Sequence, residues 1–236
     1  ENVNLDLIFG LPGQTLGAWR RNLEEALRLE PEHLSAYALT VEEGTALARD
    51  VDRGRKPPPD PDLQADMYEL TEELLASAGY EHYELSNWAK PGYRCRHNLV
   101  YWCNGEYLGV GAGAHSYVDG VRFANERLPS RYLAAVNETW EASHGGGSVT
   151  MRQVASMERE PVELQMAETA ILGLRLTEGI DLAAFAARFG QRFEDVYAAE
   201  LPELFSYGLI EQSDGHIRLT RRGRLLGNDV FQRLLP

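Results

Sequence analysis

Long apolar runs are missing from this 236-residue sequence, so no stretch of it reads as a membrane-spanning helix. Cysteine is nearly missing as well. Cys95 and Cys103 are the only two, too few for a disulfide framework, which points to a reducing, cytoplasmic setting. Positive charge is in deficit: 23 Lys and Arg stand against 36 Asp and Glu, for a net charge of -13. The basic residues are also scattered rather than gathered in one run, so phosphate backbones are repelled and nucleic acid is not an expected partner. A starting Met and a signal peptide are lacking too. Glu1 leads within two residues into an apolar, strand-like run, which reads as a chain cut from something longer.

What is present is ordinary globular composition, 44% hydrophobic and 25% charged, enough for one large domain and a small one. Val3 to Phe9 reads as a strand, stopped by the turn Gly10-Leu11-Pro12-Gly13. Leu16, Trp19, Leu23, Ala26 and Leu27 then fall at helical spacing, with Thr15 as N-cap and Pro31 as stop. Leu34 to Val41 returns to strand character. Pro57 to Pro61 breaks it, Leu63, Met67, Leu70 and Leu74 restore helical spacing up to Gly79, and Tyr80 to Leu85 is a further strand. Strand, helix, strand, helix, strand predicts a parallel sheet with helices outside it.

Ser86 to Val121 departs from that grammar and, being rich in Gly, His and aromatic residues, reads as a functional loop region. Pro129 to Trp140 predicts a helix, and Gly145-Gly146-Gly147-Ser148 is a flexible linker signal. From Val162 the spacing predicts helices to Leu174, from Leu182 to Phe189 and from Phe193 to Tyr207. A hairpin turning at Asp214-Gly215 follows, then a last helix from Arg222 to Leu235. Three helices, a small β-wing and a helix suggest a winged-helix-like module. Such modules often read DNA, but 163–236 carries eight Arg and no Lys against eleven Asp and Glu, so a packing or partner role fits better. The expected division is 1–144, a linker over 145–161, and 162–236.

The densest chemistry lies in Cys95-Arg96-His97-Asn98-Leu99-Val100-Tyr101-Trp102-Cys103. A neutral imidazole is a good axial ligand for heme iron, and flanking Tyr and Trp offer flat apolar surface to a porphyrin. The competing reading of His97 is a hydrogen-bonded structural histidine. Covalent heme attachment is disfavoured, because Cys-x-x-Cys-His is absent, and a zinc site at Cys95 and Cys103 would need further ligands. Gly109-Val110-Gly111-Ala112-Gly113-Ala114-His115, after a short strand expected at Glu106 to Leu108, matches a dinucleotide pattern only superficially, since no helix follows it. Its glycines permit close approach of backbone to a ligand or to another strand, with His115 at the end. Asp6 sits within an apolar strand and requires a partner, either structural or a ligand. Glu42-Glu43-Gly44-Thr45 is most simply turn capping.

Asn4-Leu5-Asp6-Leu7-Ile8-Phe9-Gly10-Leu11-Pro12-Gly13-Gln14-Thr15 resembles the mid-barrel strand and turn of the HemW and oxygen-independent coproporphyrinogen III oxidase families. His33 to Thr45, Tyr83-Glu84-Leu85-Ser86-Asn87 and His97-Asn98-Leu99-Val100-Tyr101-Trp102 narrow the resemblance to the heme chaperone branch, and with the tail it covers nearly the whole chain. The resemblance implies an α/β fold, the C-terminal portion of a partial (β/α) radical-SAM barrel followed by the winged-helix-like domain. It implies heme held without covalent attachment and passed to acceptor proteins, membrane-associated ones among them, together with S-adenosylmethionine and a 4Fe–4S cluster in the complete protein. By the same resemblance Asp6 belongs to the S-adenosylmethionine pocket with Thr40 on its adenosyl side, and His97 is the ligand of heme iron or essential to heme binding; Asn98, Tyr101, Trp102 and His115 are expected at the heme or its pocket. The family's C-x-x-x-C-x-x-C cluster motif is not in this sequence, so no cluster and no radical chemistry are expected of these residues alone. Val3 to Phe9 is then an open barrel edge, prone to association. The rival readings are an oxygen-independent coproporphyrinogen III oxidase, which would be an enzyme, and a winged-helix DNA-binding regulator.

Overall fold

The computed structural model describes residues 2–144 and 152–236. They fall into two compact units: residues up to Cys95 with Arg175–Gly179 and Tyr207–Gly227, and Arg96–Leu174 with Ile180–Ser206 and Asn228–Pro236.

The first unit is built on β1 (Asn4–Phe9), α1 (Leu16–Arg28), β2 (His33–Ala38), α2 (Ala46–Asp52), α3 (Pro61–Ser77), β3 (Glu81–Glu84) and β4 (Asn87–Ala89). Thr15 caps α1 as expected, its Oγ1 accepting from Ala18 N at 3.2 Å. Thr45 does the same for α2 at 3.1 Å, so Glu42 to Thr45 is indeed a capping turn. Asp60 and Pro61 open α3, where a missing N–H costs nothing.

β1 and β2 pair in parallel, Asp6 opposite Ser35 and Ile8 opposite Tyr37. The third strand in sequence does not join them directly. The sheet order is β1-β2-β4-β3, with β4 antiparallel to both its neighbours. Only Leu85 and Ser86 separate β3 from β4. That is room for a hairpin turn, not for a crossover, so the expected all-parallel sheet becomes mixed.

Leu5, Leu7 and Phe9 of β1 and Leu34 and Ala36 of β2 pack with Trp19, Leu23 and Ala26 of α1 and Met67, Leu70 and Leu75 of α3. Trp19 is fully buried, yet its indole N–H donates to Thr71 Oγ1 at 2.9 Å and to Met67 O at 3.1 Å, so the core polar atom is satisfied. Period-two alternation turns Asn4, Asp6 and Ile8 away from this core.

The second unit contains α4 (Arg96–Trp102), β5 (His115–Val118), β6 (Val121–Asn125), α5 (Pro129–His144), β7 (Val154–Arg159), α6 (Val162–Gly173), β8 (Ile180–Asp181), α7 (Leu182–Phe189), α8 (Phe193–Val196) and α9 (Leu201–Ser206). The hairpin β9 (Ile210–Ser213) and β10 (His216–Leu219) and the short α10 (Arg221–Leu225) belong to the first unit, and α11 (Gly227–Arg233) ends the chain.

Several expectations are revised. Ser86 to Val121 is not one loop: it holds β4, α4 and β5. Glu106 to Leu108 forms no strand, only a bridge between Tyr107 and Tyr117. Gly145 to Ser148 lies outside the described residues, but the second half of the 145–161 span is β7, paired antiparallel to β6. The helix expected over 193–207 is broken, because Pro202 has no N–H to bond back to residue 198. The last helix is interrupted at Leu226, just before Gly227, a residue that weakens helical continuity.

Candidate ligand-binding site

The face of the first unit's sheet opposite its helices carries Asn4 and Asp6 beside the exposed Ile8. Asp6 is exposed there rather than buried among apolar residues, and its Oδ1 accepts from Asn4 Nδ2 at 2.8 Å. A carboxylate only accepts, so the Asn4 amide must turn its nitrogen to Asp6 and its oxygen the other way. That oxygen lies 2.6 Å from Nδ1 of the buried His33, and Ser35 Oγ donates to it at 3.3 Å. Nδ1 therefore carries the imidazole proton, and Nε2 accepts from the Tyr83 hydroxyl at 2.7 Å. Tyr83 Oη accepts in turn from Cys95 N at 3.3 Å. The chain Tyr83–His33–Asn4–Asp6 thus has one consistent direction of donation, and it ties the exposed carboxylate through exposed Asn4 to buried His33 and Tyr83.

Burial pushes His33 below its ordinary pKa, while the Asp6 carboxylate pulls it up more weakly. A histidine held neutral supports the fold above its ordinary value of 6.5, and that support is lost as pH falls through the lowered value. Thermal melts between pH 8 and pH 5 should show this loss. In His33→Gln the melting temperature should be lower at pH 8 but flatter across the range. An unchanged slope would remove His33 from this role.

At the β3–β4 turn, Glu84 is fully buried and accepts from Asn87 Nδ2 and from Ser86 N. Its other oxygen lies 3.8 Å from Arg175 Nη2, which weakens but does not cancel the effect of burial, so its pKa is raised. Thr40, exposed, lies two residues beyond the end of β2.

In the second unit, α4 carries His97, Asn98, Tyr101 and Trp102. His97 is exposed, and Asn98, Tyr101 and Trp102 are half-buried. Helical i, i+4 spacing sets the His97 ring edge-on to Tyr101 at 4.8 Å, and Tyr101 is edge-on to Tyr107 at 4.6 Å. Among the described residues nothing hydrogen-bonds the His97 imidazole, so the structural-histidine reading has no partner to rest on.

A cavity of about 400 Å³ opens beside these rings, lined by Tyr101, Asn104, Gly105, Tyr107, Arg122, Glu168, Ile171 and Leu172. Its size falls in the range of small-molecule sites. Arg122 is fixed between Glu160 and Glu168 and sits over the Tyr117 ring at 4.6 Å. His115 opens β5, exposed, and no ring contact joins it to His97 among the described residues.

The glycine-rich segment before His115 is a close backbone approach. A Cβ on Gly109 would lie 2.1 Å from His115 O, and Asn125 Nδ2 donates to the carbonyls of Gly109 and Gly111. Cys95 and Cys103 form no disulfide, and no group of three or more His, Cys, Asp or Glu among the described residues could hold a metal ion.

Reasoning from sequence singled out Asp6 and His97 but passed over Asn4, His33, Tyr107 and Arg122. Asn4 could have been found as the polar neighbour on the same strand face as Asp6. Arg122 and Tyr107 are brought to the cavity by pairings that no local pattern reveals.

The family model described as the HemN C-terminal domain matches residues 162–226. The heme chaperone HemW of Bacillus subtilis is 38% identical over 98% of this chain, and that of Escherichia coli 35% identical over 100% of it. The chain spans 58% of the length of each of these relatives. Among solved structures, E. coli coproporphyrinogen III oxidase (HemN), a radical SAM enzyme, matches 98% of this chain and 54% of its own, with a TM-score of 0.72 at 20% identity. The α/β fold is therefore that of the C-terminal part of HemN, and over nearly its whole length the chain is similar to the HemW heme chaperones.

Proposed function

We propose that this chain carries the heme-binding part of a cytoplasmic heme chaperone, which holds heme noncovalently through His97 and hands it to acceptor proteins, membrane-associated acceptors included. The observation that carries the reading is the His97 imidazole: exposed, stacked edge-on against Tyr101, without a hydrogen bond among the described residues, and one helical turn from an aromatic-lined cavity. A neutral imidazole with an uncommitted ring nitrogen has its lone pair available to iron. Tyr101 and Trp102 offer apolar surface to the macrocycle, Asn98 a polar contact at its edge, and His115 a second imidazole on the same unit.

Asp6 and Thr40 suit S-adenosylmethionine. Asp6 is an exposed carboxylate whose orientation is fixed by Asn4 and His33, as a ligand's hydroxyl or amino group requires, and Thr40 is an exposed hydroxyl just past a parallel strand's carboxyl end. S-adenosylmethionine would supply the radical chemistry of the superfamily; the residues here would bind and orient it. A 4Fe–4S cluster does not fit the residues of this chain, since Cys95 and Cys103 stand in no group of three or more ligating residues among those described.

The test is a hemin titration of the intact protein followed at the Soret band by difference spectra. Wild type should give a band shifted by imidazole ligation. His97→Ala should lose the shift and bind roughly tenfold or more weakly, about 1.4 kcal/mol or more, whereas His115→Ala should keep the band position. The wild-type spectrum and affinity in His97→Ala would refute ligation by His97.

A further inference from the structure

The cavity beside Tyr101 and Tyr107 has a neighbour of different character. A second opening, also about 400 Å³, is lined by Asn104, Gly105, Glu106, Tyr117, Asp119, Gly120, Arg159, Gln165 and Arg188, and it shares Asn104 and Gly105 with the first. One opening is mainly aromatic and aliphatic with Arg122 and Glu168 at its wall, the other is polar, with two arginines and two carboxylates, and Asn104 and Gly105 line both.

The charges lining the polar opening are not equivalent. Arg159 is engaged: it donates to Asp119 O at 3.0 Å and lies 3.6 Å from the Asp119 carboxylate. Glu106 accepts from Asp119 N at 2.7 Å. Arg122, on the apolar side, is held by both Glu160 and Glu168.

Arg188 differs. Its Nη1 donates to the carbonyl of buried Asn104 at 2.9 Å and its Nη2 to the hydroxyl of buried Tyr117 at 3.1 Å. Both partners are neutral, and among the described residues no carboxylate pairs with this guanidinium. It is thus aimed by two hydrogen bonds, with its charge and its remaining N–H groups uncommitted. In a chain with 36 acidic residues, an arginine fixed in place without a carboxylate partner suits an anionic ligand.

We propose that Arg188 receives a carboxylate of the same ligand whose flat apolar body lies against Tyr101 and Tyr107, so that the two openings form one site for an amphipathic, carboxylate-bearing macrocycle. This rests on the porphyrin reading above and adds to it the group that recognises the ligand's acidic side chains. Gln165, whose amide nitrogen already donates to Glu160 O at 2.8 Å, lines the same opening.

Comparing hemin with hemin dimethyl ester, whose side-chain carboxylates are masked, decides the matter in the intact protein. Wild type should bind hemin roughly tenfold more tightly than the ester, as expected for one charge-assisted contact. Arg188→Gln should abolish that preference while leaving ester binding unchanged, and Arg159→Gln should preserve it. Equal binding of hemin and ester by wild type would overturn the proposal even if Arg188→Gln failed to fold, as would a preference that survives in a folded Arg188→Gln protein. Failure of the underlying reading looks different: hemin would then bind to neither wild type nor variants, or would bind to His97→Ala with the wild-type spectrum.

Discussion

Trp19→Ala should lower the unfolding free energy by about 3–5 kcal/mol, measured by urea denaturation followed by circular dichroism. Trp19 has no exposed surface, packs on Phe9 with ring centroids 5.4 Å apart, and joins α1 to α3 through its indole N–H. Truncation leaves a cavity between sheet and helices and removes the donor that Thr71 and Met67 share. Since a domain's total stability is about 5–15 kcal/mol, this one residue accounts for a large share of what holds the first unit's sheet and helices together. Trp19→Phe should cost clearly less, because it keeps most of the buried ring. A loss below about 1 kcal/mol in Trp19→Ala would mean that the α1–α3 core is not where the stability resides.

Glu84 should give an effect of similar size, with a sign that depends on the replacement. Glu84→Ala removes the acceptor for Asn87 and Ser86 and opens a cavity, which should cost about 2–4 kcal/mol. Glu84→Gln keeps the shape and an acceptor oxygen without the charge. Because burial raises the pKa of Glu84, its protonated form supports the fold below the ordinary value of 4.5, and that contribution is lost as pH rises through the raised value. Wild type should therefore lose stability relative to Glu84→Gln as pH rises above that point. If the two lines stay parallel from pH 4 to pH 9, Glu84 does not change its protonation state on folding.

The fold was legible wherever a period or a punctuation residue was strong. α1 follows from five apolar residues at helical spacing behind the Thr15 cap, and the β9–β10 hairpin follows from Asp214-Gly215, both of which adopt positive φ there. What stayed hidden depended on contacts distant in sequence. β4 is three residues long, and only its pairing with β2 and β3 makes Asn87–Ala89 a strand. β7 was obscured by the glycines before it, although Val154–Arg159 hydrogen-bonds along all of β6.

The candidate site divides in the same way. His97 and Tyr101 are four residues apart, so their contact could be read from helical geometry. The Tyr83–His33–Asn4–Asp6 chain joins residues from three strands, and the Arg188–Asn104 bond spans 84 residues. Asp6 itself was placed among apolar residues because its neighbours Leu5 and Leu7 are apolar. The strand's alternation sends those two to the core and Asp6 to the open face.

Ligand rescue tests the central claim most directly. In the intact protein, His97→Gly should bind hemin without the imidazole-ligated Soret band, and added imidazole should restore both the band and delivery of heme to an apo-acceptor. If His97→Gly shows the wild-type band and delivers heme without imidazole, heme is held elsewhere and the assignment of His97 is wrong.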